Sequence, residues 1–103
     1  MNSDVKKEEI ARKNDVLRRT FAGGQVVITS GLKDDPNLDK IIKAVQTFDD
    51  FSDDNDPYLE RDFGKVTIDG EGYLWKIDYY DADHKYFQKD GHRVLTILRS
   101  DEN

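Results

Sequence analysis

From Asp4 to Phe21 the chain runs without proline or glycine, and Ile10, Leu17 and Phe21 recur at spacings that stack on one face of a helix. Ala22-Gly23-Gly24 ends that run, because Gly23 or Gly24 takes a left-handed cap conformation at no steric cost. Gln25 to Ser30 is rich in β-branched residues and reads as a strand, closed by Gly31. A second helix is predicted with Asp34 or Asp35 as N-cap and Pro36 at its first position. Leu38, Ile41, Ile42, Val45 and Phe48 form its apolar stripe. Alternation then predicts a strand over Gly64–Asp69, a hairpin turn at Gly70-Glu71-Gly72 and a returning strand over Tyr73–Tyr80. In that returning strand Tyr73, Trp75, Ile77 and Tyr79 share the face that suits the core, and Leu74, Lys76, Asp78 and Tyr80 share the other. Asp81 to Arg93 is a polar connection carrying His84 and His92, Val94–Leu98 is a last strand, and Arg99–Asn103 is a frayed tail.

The order α-β-α-β-β-β lacks the regular strand-helix alternation of a parallel sheet. It predicts an α+β fold over residues 1–103 as one domain, with residues 1–3 and 100–103 frayed. The sheet is expected to be mainly antiparallel, with about four strands and both helices packed on one face. A chain of 103 residues, 36% hydrophobic and 37% charged, supports one small core to which its aromatic side chains contribute much. Without cysteine there is no disulfide framework, thiolate metal site or cysteine nucleophile. No apolar leader or membrane-length run is present, and a cytoplasmic location without membrane contact is expected.

A net charge of −6 argues against general nucleic-acid binding, which depends on Lys and Arg neutralising phosphates. The first 21 residues carry six bases against four acids. The reading there is a solvated helix face with pairs such as Glu8–Arg12 and Glu9–Lys13, not a nucleic-acid stripe. The negative charge is concentrated in one place. Between Phe48 and Gly64 lie seven carboxylates (Asp49, Asp50, Asp53, Asp54, Asp56, Glu60 and Asp62) and a single cation, Arg61, so this stretch holds a charge equal to that of the whole chain.

Three kinds of chemistry fit that stretch. A calcium loop needs alternate oxygen ligands, a glycine at the sixth position and a glutamate at the twelfth. Started at Asp49 the sixth residue is Asp54, and started at Asp53 the sixth is Tyr58 and the twelfth Gly64, so neither register fits and no cofactor is assigned. Asp54-Asn55-Asp56-Pro57 reads first as turn chemistry, which can stand alongside a binding role. A metal-dependent hydrolase or nuclease would draw on Asp54, Asp56, Glu60, Asp62, Asp78, Asp81, His84 and His92, but no catalytic motif links them, and Lys76 and Asp78 suit a solvated strand face. The preferred expectation is a non-enzymatic protein that binds a macromolecule with a basic surface. Its contacts would be Asp49, Asp50, Asp53, Asp54, Asp56, Tyr58, Glu60 and Asp62, with Asp78 and Asp81 beside them. Phe48, Phe51, Tyr58 and Phe63 would pin the loop. A structural module forming a homodimer through an uncovered sheet face, with Leu74, Tyr80, Leu95 and Ile97, is the third reading.

Arg19-Thr-Phe-Ala-Gly-Gly24, Phe48-Asp-Asp-Phe51, Asp54-Asn-Asp-Pro-Tyr58, Asp62-Phe-Gly64, Trp75-Lys-Ile-Asp-Tyr-Tyr-Asp81 and Val94-Leu-Thr-Ile97 together resemble a family of small bacterial proteins of unknown function. That family is found chiefly in proteobacteria, often on plasmids and integrated elements near antirestriction genes. The resemblance supplies no catalytic residues. It implies a mobile-element accessory protein, for which interference with host defence, such as inhibition of a host nuclease or CRISPR effector, is a common occupation.

Overall fold

The structure is a computed structural model that describes residues 3–51, 56, 60–80 and 92–102, with side chains from Glu8 onward. Helix α1 (Ser3–Thr20) is followed by strand β1 (Gln25–Ile28), the single turn α2 (Ser30–Lys33) and helix α3 (Leu38–Gln46). Strands β2 (Phe63–Ile68), β3 (Glu71–Tyr80) and β4 (His92–Arg99) come next, and a 3-10 turn covers Ser100–Glu102. The α+β order is the expected one, with a third, one-turn helix added. The four strands form one sheet in the order β1-β4-β3-β2. β2 and β4 flank β3 antiparallel, while β1 runs parallel to β4, so the sheet is mixed though mainly antiparallel.

Helix ends differ from the expectation in instructive ways. α1 stops at Phe21, which itself takes the left-handed conformation (φ 59°) while donating its N–H to the Leu17 carbonyl at 2.8 Å. A left-handed aromatic residue costs about 1–2 kcal/mol, and the ring's packing against the core offsets that cost. Gly23 provides a second positive φ, 90°, two residues later. α3 begins after Asn37, not at Asp34, Asp35 or Pro36. Asp35 is used elsewhere: one carboxylate oxygen accepts the Asn37 N–H at 2.8 Å, and the other accepts from the Tyr73 hydroxyl at 3.2 Å and from Arg99 at 3.0 Å. The start of α3 is thereby tied to the sheet. The hairpin turn falls on Asp69 (φ 52°) and Gly70 (φ 84°), the two left-handed residues that a two-residue connection requires. Gly72 consequently lies inside β3, paired with Thr67.

One sheet face carries Trp75, Ile77, Tyr79, Tyr73, Leu95 and Ile97, and it packs against Ile10 and Leu17 of α1, Leu32 of α2, and Ile41 and Val45 of α3. The predicted core set in β3 is therefore buried as expected. Leu95 and Ile97, grouped with the uncovered face in the homodimer reading, lie in this core at 0% exposure, because register places them opposite Ile77 and Trp75. Leu74 and Tyr80 do lie on the reverse face. The tail expected to fray is the 3-10 turn, where Glu102 accepts hydrogen bonds from the Thr29 hydroxyl at 2.8 Å and the Arg99 amide at 3.2 Å.

Candidate functional site

The buried stripe of α1 is only half apolar. Between Ile10 and Leu17 stands Asn14, and beside Leu17 stands Arg18, both wholly buried. Buried polar groups are tolerable only when hydrogen-bonded, and each of these reaches across the molecule. Asn14 donates to the Tyr79 hydroxyl at 2.7 Å and to the Glu60 carbonyl at 2.9 Å, and its own carbonyl accepts from Nε of Arg93 at 2.9 Å. Arg18 donates to the Val45 and Gln46 carbonyls at 3.2 and 3.3 Å, and to Asp15 at 2.9 Å. Its position at the C-terminus of α3 puts a cation where the helix dipole is negative. Burial pulls the Arg18 pKa down, with Asp15 opposing.

The acidic stretch is built on this scaffold. Phe48 packs edge-on against Phe51 and Trp75, with ring centres 5.1 and 5.4 Å away. The Arg18 guanidinium lies 5.3 Å from the Phe51 ring centre and 5.4 Å from that of Trp75, and Arg61 lies 4.9 Å from Phe51. Cation-π contacts of this kind contribute about 0.5–2 kcal/mol each according to their desolvation. Asp15 joins the two arginines, accepting from Arg61 at 2.9 Å as well as from Arg18. Arg61 is left-handed (φ 55°), and its amide donates to the Asp56 carboxylate at 3.0 Å. Asp56 thus closes a loop turn instead of facing solvent.

The predicted contact residues consequently divide. Asp49 and Asp50 are exposed just beyond Thr47, the C-cap of α3, and Phe48. Asp56 and Glu60 are buried, at 5% and 4% exposure, and Asp62 is half-buried. Burial, then the neighbouring Glu60, push the Asp62 pKa up, and its carboxylate accepts a long hydrogen bond, 3.5 Å, from the Tyr79 hydroxyl. Burial also raises the Tyr79 pKa, so that hydroxyl stays protonated. Asp78 sits on the reverse sheet face, 4.0 Å from Lys76 on its own strand. Asp53, Asp54, Tyr58, Asp81 and His84 lie outside the described residues. Of the four expected aromatic pins, Phe48 and Phe51 serve, whereas Phe63 is 40% exposed at the start of edge strand β2.

Between α1 and this stretch lies a cleft of about 390 Å³ lined by Glu8, Ala11, Arg12, Asp15, Phe51, Asp56 and Arg61. Its charges are mixed, with Asp15 paired to Arg61 and Asp56 accepting the Arg61 amide. Among the described residues no three His, Asp or Glu side chains gather as metal ligands, and no helix is long and apolar enough to cross a membrane. Asn14, Arg18, Asp15 and Arg93, which organise the site, escape sequence reasoning because each looks like ordinary solvated polarity. The legible signal was position: Asn14 and Arg18 continue the Ile10–Leu17 stripe.

Residues 27–102 match the family described as "Protein of unknown function (DUF3768)". No curated protein and no solved structure matches the chain. The matched region covers the end of β1, the other three strands, α2, α3 and the acidic stretch, and the chain belongs to this family of proteins of unknown function.

Proposed function

We propose that the protein is a non-enzymatic binding protein that docks on a basic surface of a macromolecular partner through the acidic-aromatic segment between Asp49 and Asp62. The observation that carries this reading is the pairing of exposed charge with fixed rings. Asp49 and Asp50 project from the C-terminal end of α3, where the helix dipole disfavours carboxylates by a few tenths of a kcal/mol. Their flanking residues, Phe48 and Phe51, are locked against Trp75 and Arg18. Carboxylates presented from a fixed base lose little conformational freedom on binding, and they compete with phosphate for Arg and Lys in a groove. Asp53 and Asp54 follow in the same stretch and extend the charge. Asp56, Glu60 and Asp62 act as struts for it.

A partner whose basic groove ordinarily holds nucleic acid suits this chemistry, and the specific proposal is an anti-defence inhibitor carried by a mobile element, acting on a host nuclease or CRISPR effector. Purified protein added to such effectors should abolish DNA binding or cleavage by at least one of them. Replacing both exposed acids, Asp49→Asn with Asp50→Asn, should weaken that inhibition about tenfold or more, as loss of two charge-assisted contacts implies. Unimpaired DNA binding and cleavage across the effectors would remove the reading.

A further inference from the structure

Strand β2 forms one margin of the sheet, and its pairing with β3 shows which of its main-chain groups are engaged. The Ile77 N–H donates to the Asp62 carbonyl at 2.8 Å, and these two residues continue the register that sets Phe63 opposite Lys76 and Gly64 opposite Trp75. Bonded pairs alternate along an antiparallel ladder. Gly64, Val66 and Ile68 therefore turn their N–H and C=O groups towards β3, while Phe63, Lys65 and Thr67 turn theirs outward. We propose that this outer edge adds one further strand, an extended peptide segment of a partner protein that is apolar at alternate positions and carries a carboxylate opposite Lys65.

The backbone of the edge is ready for such an addition. Phe63, Lys65 and Thr67 are all exposed, and among the described residues no hydrogen bond reaches their outward main-chain groups. β2 is paired without a break from Phe63 to Ile68, with neither proline nor a bulge to turn a newcomer away. The opposite margin, β1, offers only Gln25–Ile28. An antiparallel newcomer exchanges two bonds with each of Phe63, Lys65 and Thr67. Main-chain bonds of this kind supply the affinity when peptides join open sheet edges, and the alternate side chains supply the specificity.

Side chains select the occupant. Phe63 and Lys65 share the reverse sheet face with Lys76 and Leu74, which stand opposite them on β3. Lys65 enters none of the ion pairs among the described residues, so a carboxylate directly across from it gains a partner. Phe63, at 40% exposure, offers its ring to an aromatic or β-branched neighbour. On the other face the edge carries Val66 and Ile68, half-buried beside α3, and these suit apolar side chains at the intervening positions. A second copy of the chain fits worse. The two-fold register that keeps every outward bond sets Lys65 against Lys65, a shift by two residues forfeits bonded pairs, and a shift by one turns the apolar face over. The edge is a surface distinct from the exposed acids of the proposed function.

The test is amide-resolved NMR with hydrogen exchange on the full chain, titrated with the capped peptide acetyl-Ser-Thr-Val-Glu-Val-Tyr-Ser-amide. Saturable shifts along β2 are expected. Exchange should slow at the amides of Phe63, Lys65 and Thr67, while those of Gly64, Val66 and Ile68, already bonded to β3, stay as they were. Methylating the peptide's Glu nitrogen removes the N–H that faces Lys65 and should weaken binding about tenfold or more. Methylating the preceding Val nitrogen, which faces away, should not. Lys65→Glu, a surface change, should weaken the peptide about tenfold and favour the same peptide with lysine in place of glutamate. Shifts that do not saturate, or protection that falls on neighbouring residues alike, overturn strand addition. Equal binding by Lys65→Glu overturns the place of the carboxylate. Protection of the Lys65 amide that grows with protein concentration, without peptide, gives the edge to a second copy and overturns the peptide as its occupant.

Discussion

Asn14 shows how much one buried side chain can be asked to do. Its amide spans α1, β3, β4 and the segment leading into β2, satisfying the Tyr79 hydroxyl, the Glu60 carbonyl and the Arg93 guanidinium together. Truncating it removes all three bonds at a buried site, each lost bond costing about 1 kcal/mol. Asn14→Ala should therefore lower stability by about 3 kcal/mol, read from the urea midpoint at an unchanged slope. Arg18 is the companion case, with Nε the one guanidinium nitrogen lacking a partner. Its remaining nitrogens and its flat faces are engaged by α3, Asp15, Phe51 and Trp75. In the sequence, an Asn and an Arg amid charged neighbours read as solvent-facing. Apart from a place on the Ile10–Leu17 stripe, nothing local distinguishes a polar residue that faces water from one that faces a partner 46 or 79 positions away.

Among elements, the strands and helices were legible wherever a single apolar period dominated, as in α3 and β3. Their partnerships were less so. The parallel contact between β1 and β4 follows from connectivity once the sheet order is known. α2 and α3 carry the chain from one sheet edge to the other, and the β2-β3-β4 meander returns it antiparallel at each step, with β4 pointing as β2 does and landing beside β1. Strand composition does not encode which edge a crossover reaches. Three residues with two glycines look like the hairpin turn, while Asp69-Gly70, one position earlier, forms it. Gly70 pairs its positive φ with open space, so Gly70→Ala adds no clash but forces a left-handed alanine. The expected cost is about 1 kcal/mol, measurable as a fall in melting temperature.

For the molecule as a whole, the acidic stretch sets the charge balance, and the fold turns part of it inward. Asp62 is the group where this matters for pH. Its folded pKa lies above the ordinary carboxylate value because burial and Glu60 disfavour ionisation. The native state then binds that proton more tightly than the unfolded chain does. Stability from this group is present below the unfolded pKa and declines as pH rises towards the raised folded value. Asp62→Asn should raise the melting temperature at neutral pH, and the gain should vanish in acid, where the wild-type carboxyl is already neutral. A melting temperature unchanged by the substitution at every pH would contradict the assignment. The family match starts at residue 27, yet Ile10, Asn14, Leu17 and Arg18 complete the core and the network, so the physical unit includes α1.

Trp75, the chain's one tryptophan, is wholly buried where α1, α3, the acidic segment and the sheet meet. Its ring covers Gly64 so closely that a side chain there would meet its indole nitrogen and, at 2.8 Å, the tip of Phe48. The protein thus contains its own fluorophore at the junction that fastens the acidic stretch. Indole emission from this site shifts to the red when water enters, so ordinary fluorescence reports the opening of the Phe48–Phe51–Arg18 junction without any attached label. Where that signal moves before far-ultraviolet circular dichroism does, the segment carrying Asp49 and Asp50 loosens ahead of the sheet that supports it.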